Sequence, residues 1–537
     1  MNSPRADELF RRALMLHQSG DLAQAASLYQ AVLAEDPGHA DALSNLGAAL
    51  NKAGRHNEAV AHFERALAIA PENTPALNNL GNALLALGRA DEAAGRLLRA
   101  VELNPDFVEA RINLGYTLRA LGRAADAETH YRFLLARNPQ SKLAMNALGL
   151  ALREQGRVGE AIEVLRETVR LHPGYADPLA NIAELEAAHG SLEVAIRLHG
   201  EALASSGESK SIRGNRAYTM FAAGRMAEAW EDYEFRWDVR ERGQARSRRN
   251  FAQPVWTGGA LDGKRLLIWG EQGVGDELWT AGMVAEAHER IGRSSSVVVE
   301  CVPKLVSLFR ASFADIEFVA RTDPPDPACI AGVEFQIAAG SLGRILRPNL
   351  ESFPKREQSG GAYLSADPMR IAYWRGKLAG LGRGMKVGVC WRSINTLGER
   401  ALSCSKLVQW MEVLRVPGVH FVNMQYDDCE AELRETEQIA GVKIHRYPEV
   451  DLFDDLAETA ALMRGLDLVI SAPTAVSILS AALGVPTWQL NYGREWQRHG
   501  KADNPWYPSM RNHVRRWDES WEAALARIAS ELKLMAD

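Results

Sequence analysis

Apolar positions along the first 237 residues follow a helical spacing, and that spacing itself repeats. Prolines fall at Pro37, Pro71, Pro105, Pro139 and Pro173, each 34 residues after the last. Glycines at Gly20, Gly54, Gly88, Gly122, Gly156, Gly190 and Gly224 keep the same 34-residue step. So do Leu46-Gly47, Leu80-Gly81, Leu114-Gly115 and Leu148-Gly149. Three registers on one period predict two helices per unit, separated by the glycine and ended by the proline. Tyr29, Phe63, Tyr131, Leu165 and Tyr233 supply the packing knob of the second helix. A single unit cannot bury its apolar face, so stacked neighbours must, which gives a superhelix with a concave groove.

The period is lost over 238–262, where Pro, Gly and Arg accumulate, and a linker is expected there. Its cluster of Arg246, Arg248 and Arg249 reads as a solvated face rather than an anion site. From 263 onward short apolar runs alternate with helical segments, the texture of parallel sheets. Strands are expected near 265–269, 296–300, 316–319 and 334–338 in a first lobe, 263–365. A second lobe, 366–537, is expected to hold strands near 386–391, 419–425, 442–445, 466–471 and 486–490. A helix over 519–535 closes the chain. The predicted fold class is an α-helical repeat superhelix followed by an α/β module of two Rossmann-type lobes with a cleft between them.

The first lobe opens with LLIWGEQGVGDELW: strand, glycine-rich turn, helix start. Such a turn leaves backbone N–H groups free at a helix N-terminus, so Gly273 and Gly275 are candidate donor-binding positions. The spacing is not G-x-G-x-x-G, so no dinucleotide fingerprint is read. Asp276 just after the turn is placed to act as a general base, or simply to cap the helix. In the second lobe, SAPTAVSILS follows a strand, and the N–H groups of Thr474 and Ala475 suit a phosphate. Arg392 and Arg400 could neutralise a departing phosphate; Gln425 and Tyr426 could read and stack on a base; Glu458 could hold ribose hydroxyls. In the repeats, Asn45, Asn79 and Asn113 recur at 34, Ala147 interrupts, and Asn181 and Asn215 resume. A row of side-chain amides can clamp an extended peptide backbone, or else stabilise each repeat internally.

The repeat unit resembles the tetratricopeptide repeat, in about seven copies over 3–237. The asparagine series is similar to the ladder lining the groove of O-linked N-acetylglucosamine transferases. FAQPVWTGG, LLIWGEQGVGDELW, VGVCWRS, ETAALMRGLDLVISAPTAVSILSAALGVPTW and DNPWYPSM resemble heptosyltransferase-like glycosyltransferases of the GT-B arrangement, in the bacterial form fused to such repeats. That resemblance implies inverting sugar transfer from a nucleotide sugar without an essential metal or cofactor, with Asp276 as base. It also implies a protein acceptor docked in the repeat groove; some repeat-fused relatives modify flagellin with nonulosonic acids from CMP donors. The chain departs from the pattern where Pro473, Ala475 and Ile478 replace the usual Asp, Gly and His. A heptose donor is thereby disfavoured, and a catalytically silent scaffold and a nucleotide-sugar epimerase stay open as alternatives.

Composition changes this picture little. Net charge is −6, which argues against a nonspecific binder of nucleic-acid polymers. No run approaches the roughly 18–20 apolar residues that span a bilayer, and MNSPRADELFRRA lacks a signal peptide's apolar core. Five cysteines, none spaced C-x-x-C, suggest reduced thiols in a cytoplasmic protein and no zinc site.

Overall fold

The computed structural model describes residues 4–241, 244–245, 248–271, 273–328, 330–354, 361–394, 398–501 and 504–537. Arg246, Gln272 and Cys329 lie outside the described residues. Helices come in pairs: α1 Pro4–Gln18 with α2 Leu22–Glu35, α3 Ala40–Lys52 with α4 His56–Ile69, α5 Thr74–Ala86 with α6 Ala90–Leu103, and α7 Val108–Ala120 with α8 Ala124–Arg137. There follow α9 Lys142–Glu154 with α10 Val158–Leu171, α11 Ala176–His189 with α12 Leu192–Ser206, and α13 Lys210–Ala222 with α14 Met226–Tyr233.

The three sequence registers each have a mechanical cause. The turn glycine between paired helices sits in the left-handed region, as at Gly88 (φ 77°), where a Cβ would strain the backbone. Just after the proline, the N-cap position is filled by His39, Asn73 or Ser141, whose side chains accept the N–H of the third residue on. The Leu-Gly glycine is where the second helix's knob lands. A Cβ on Gly47 would lie 2.9 Å from the Phe63 ring, on Gly81 2.5 Å from Leu97, on Gly115 2.4 Å from Tyr131, and on Gly149 2.6 Å from Leu165.

Two compact units divide the chain inside α11: Met1–Pro178 with Arg240–Ala245 and Leu397–Glu399, and Leu179–Val239 with Arg246–Thr396 and Arg400–Asp537. The second unit therefore contains the last two helix pairs as well as both sheets. A short antiparallel hairpin, β1 Arg240–Glu241 and β2 Gln244–Ala245, follows the repeats.

The first sheet has β3 Arg265–Trp269, β4 Ser296–Cys301, β5 Glu317–Ala320 and β6 Val333–Ala338, all parallel, in the order β5-β4-β3-β6. The second has β7 Met385–Cys390, β8 Val419–Asn423, β9 Ile444–His445, β10 Leu468–Ser471, β11 Thr487–Tyr492 and β12 Met510–Arg515. It is also parallel throughout, in the order β9-β8-β7-β10-β11-β12. β12 was not expected from the sequence: MRNHVR carries too little apolar pattern, and pairing along the whole of β11 makes it a strand. In the linker Arg248 is exposed as expected, but Arg249 is not part of a solvated face. Val255 bridges to Gln336 on β6, and Arg249 pairs with the buried Glu300 and donates to the Thr322 carbonyl (2.6 Å).

These contacts predict opposite outcomes at two glycines. Gly115→Ala should cost about 1–3 kcal/mol by overpacking against Tyr131. Gly95→Ala, inside α6 with nothing near its Cβ position, should be neutral or stabilise by up to about 1 kcal/mol. Urea midpoints of the two variants check this; a stable Gly115→Ala would contradict it.

Candidate functional site

In open parallel sheets, ligands bind beyond the strands' carboxyl ends where the strand order reverses. Here that happens twice, between β3 and β6 and between β7 and β10. A helix starts at each point: α15 Val274–Ala281 after β3, and Ala475–Ala482 after β10. The two helices touch, for a Cβ on Gly275 would lie 3.3 Å from the Ile478 side chain.

At the first point, Gly270 is the glycine that close approach demands. A Cβ there would lie 2.4 Å from a Glu277 oxygen and 3.0 Å from the Glu300 carbonyl. Gly273 is the N-cap of α15 with open space around it. Next to Gly270, Glu271 turns back into the protein. Its carboxylate takes Arg236 Nε (2.7 Å) and Nη2 (2.8 Å), and the N–H of Gly340 just beyond β6 (2.7 Å). Arg236 follows α14, is fully buried, and also donates to Ser341 Oγ (2.9 Å) and the Tyr233 carbonyl (3.1 Å). Burial alone would lower the pKa of this guanidinium; Glu271 outweighs it and holds it above the ordinary value.

Asp276 lies in the first turn of α15 and is exposed, on a side favourable to the helix dipole. It borders a hollow of about 10 Å³ lined also by Tyr233, Glu271, Glu277, Trp279 and Gly340, room for one water. Its neighbour Glu277, which no motif in the sequence marks, is 4% exposed. Glu277 accepts the Val302 N–H (2.6 Å) and pairs with Arg321 (3.0 Å). Burial nonetheless pushes its carboxyl up to about 7.

At the second point the expected donor groups are engaged elsewhere. The Thr474 hydroxyl accepts the Val476 N–H (3.2 Å), and the Thr474 N–H donates to Ser477 Oγ (3.3 Å), so both serve the helix they begin. Ala475 is half-buried beside them. Gln425 is 2% exposed, and its amide is taken up by backbone. Its oxygen accepts the N–H groups of Trp391 and Arg392 (both 3.2 Å), and its nitrogen donates to the Arg392 carbonyl (3.1 Å). It thus latches β7 to β8 and does not present a base-reading edge. Arg392 is held by Asp427 (2.9 Å) and Glu432. Glu458 is not open to a ribose: Arg370 clamps it and Trp374 Nε1 donates to it (2.7 Å). Arg400 is exposed on the turn Gly398–Ser403. Tyr426 stacks on Phe453 (6.2 Å between centroids), and burial pushes its phenol up to about 12. A hollow of about 250 Å³ opens past β8 and β9 among Asn423, Asp427, Leu433, Arg446, Tyr447 and Leu462.

The ladder asparagines are half-buried, and four of them bond to other side chains of the repeats. Asn113 donates to Asn78 (2.9 Å), Asn79 accepts from Asn78 (3.5 Å), Asn45 bonds Tyr29, and Asn215 donates to Glu184 (2.8 Å). Asn181 is half-buried in α11.

Residues 10–74 and 113–176 match a tetratricopeptide-repeat family model, and 50–111 match a second. The helical half is a tetratricopeptide-repeat array. The chain is 35% identical over 386 residues to Protein FlbA of Caulobacter vibrioides, covering 68% of this chain and 63% of that relative. It thus spans less than two thirds of the relative's length. Similar solved structures include a tetratricopeptide repeat protein from Parabacteroides merdae, 20% identical, covering 43% of this chain and 92% of that one, with TM-score 0.41. Another is YrrB, described as having an unusual peptide-binding site, 26% identical, covering 32% and 88%, with TM-score 0.29. No helix among the described residues is long and apolar enough to cross a membrane.

The buried pair between the repeats and the first sheet gives a direct prediction. Arg236→Met leaves the buried Glu271 without its cation, and should cost about 3–5 kcal/mol. Adding Glu271→Leu should restore a large part of that loss. Denaturant unfolding of both variants checks this, and equal losses in the two would contradict it.

Proposed function

We propose that the chain is a protein O-glycosyltransferase of the GT-B arrangement, transferring a sugar from a nucleotide donor to a polypeptide hydroxyl. The observation that carries this reading is the meeting of two helix N-termini, each at a sheet's switch point, with the exposed Asp276 beside them. In this reading the nucleoside occupies the 250 Å³ hollow past β8 and β9. Its phosphate meets the Ala475 end of the second helix, and the exposed Arg400 supplies a cation to it. Asp276 takes the proton from the acceptor hydroxyl as that oxygen attacks the anomeric carbon. Asn79 and Asn113 of the repeats dock the acceptor. Flagellin is the acceptor class the sequence resemblance suggests. No metal takes part; charge on the leaving phosphate is met by backbone N–H groups and arginine.

One set of observations favours a second reading, a silent scaffold. Thr474 is engaged by its own helix, Arg392 is neutralised by two carboxylates, and the hollow at Asp276 has room for no more than one water. Donor binding must then open this region, or not happen.

Calorimetry with UDP-, GDP-, ADP- and CMP-linked sugars, followed by transfer assays on a protein acceptor, separates the two. Glycosyl transfer is expected, with Asp276→Asn lowering turnover by about 10²–10⁴ while donor affinity holds. The pair Asn79→Ala with Asn113→Ala should weaken acceptor binding and leave donor binding unchanged. Binding without transfer would leave the scaffold; full activity of Asp276→Asn would give the proton to another group.

A further inference from the structure

Within the repeats, a hollow of about 470 Å³ opens between α6 and α8. It is bordered by Asp91, Gly95 and Leu98 of α6 and Thr129 of α8, with Leu114 and Leu118 of α7 along it. Two features of α6 set it apart. Gly95 sits inside the helix with nothing within 4 Å of where a Cβ would be, so no contact within the chain demands a glycine there. A glycine in a helix interior is destabilising relative to alanine, and packing within the chain does not offset that cost. Thr129 and Glu163 stand at its position in α8 and α10. Leu98 is 45% exposed, while the same position holds Glu64, Arg132 and Arg166 in α4, α8 and α10. So α6 carries an exposed apolar knob one turn from a gap, where its neighbours carry charges.

The charges on this face are arranged about Gly95. Asp91 lies four residues before it and Arg99 four residues after it, and both are exposed. Residues four apart share one face of a helix. Arg99 is held loosely, 3.5 Å from Glu102 and 4.0 Å from Glu72. The order acid, gap, base is its own complement when reversed. An antiparallel copy of α6 crossing at Gly95 sets Arg99 against the partner's Asp91, and Asp91 against the partner's Arg99. Leu98 then falls between the partner's Asp91 and the partner's Gly95, over the leucines of that hollow. The corresponding face of α8 has Ala125, Thr129 and Phe133, and offers no such match.

We propose that this face of α6 pairs with the same face of a second copy of the chain, in an antiparallel two-fold contact centred on Gly95. A two-fold contact makes every interaction twice, so two ion pairs and two leucine knobs come from one helix. Glycine at the crossing lets the helix axes approach more closely than the usual spacing of roughly 8–10 Å. The contact lies within Met1–Pro178 and does not depend on the transferase reading.

The test is sedimentation velocity of the full chain over a concentration series. Wild type is expected to pass from one chain to two. Leu98→Arg, which gives α6 the residue type that α8 has there, should hold the chain as a monomer. Asp91→Arg sets arginine against arginine twice, and Arg99→Asp sets acid against acid twice. Each should weaken self-association about tenfold or more. Mixed in equal amounts, these two variants should pair with each other about as tightly as wild type pairs with itself, because each charge then meets its opposite. Unchanged circular dichroism spectra check that the variants are folded. The proposal is overturned if wild type stays a single chain at every concentration, which would leave the hollow to another partner. It is overturned equally if Leu98→Arg dimerises as before, or if the mixture associates no better than either variant alone.

Discussion

The buried pair of Arg236 and Glu271 ties the end of the repeats to the place where the first sheet could hold a ligand. Removing two opposite charges from water is expensive, and their attraction offsets that cost only when every remaining donor is met. Here Ser341, the Tyr233 carbonyl and the Gly340 N–H complete the set. The glycine turn after β3, the start of the segment after β6 and the end of α14 are thus held by one network. Trp230 adds apolar weight: it donates to the Arg347 carbonyl (2.7 Å) and leaves Gly343 no room for a side chain. Arg494 does similar work beyond β11, donating to the carbonyls of Ala187 and Gly190 where α11 ends. Gly190 is the position in the turn series without a left-handed backbone, and that clamp occupies the turn instead. The last two repeats are therefore structural parts of the α/β unit as much as members of the array.

The same network shapes the chemistry. Glu271 is the charged residue nearest the glycine turn, but it is committed to Arg236 and cannot serve a substrate. Asp276 is left as the exposed carboxylate of that turn, while Glu277 is buried and locks α15 to the end of β4. In the second lobe, Gln425, Thr474 and Ser477 form a polar framework under the switch point, so what is presented there is backbone and the end of a helix rather than side chains.

Periodic features were the most legible in the sequence. The 34-residue registers led to the helix pairs because each marks a steric requirement, Gly115 beneath Tyr131 being one. Strands such as Arg265–Trp269 and Leu468–Ser471 were legible because buried parallel strands are nearly all apolar. β12 was not, since an edge strand with polar side chains owes its form to its neighbour. The site was half legible. The switch-point turns announce themselves through glycine, but whether a polar side chain there faces a ligand or its own fold depends on distant partners. Gln425 and Glu458 looked available because Trp391 and Arg370, which occupy them, lie more than thirty residues away in the chain. Arg236 in EFRWD and Glu271 in WGEQG were charges set among aromatic and glycine residues, the pattern that could have paired them.

The final repeats open and close with the first sheet rather than with the repeats before them. Native-state hydrogen exchange in rising urea, read by mass spectrometry, measures it directly. Amides of α13, α14 and β3 should share one opening free energy and one urea slope, distinct from those of α3 to α8. Exchange of α13 and α14 in step with α3 to α8, while β3 stays protected, would contradict the account.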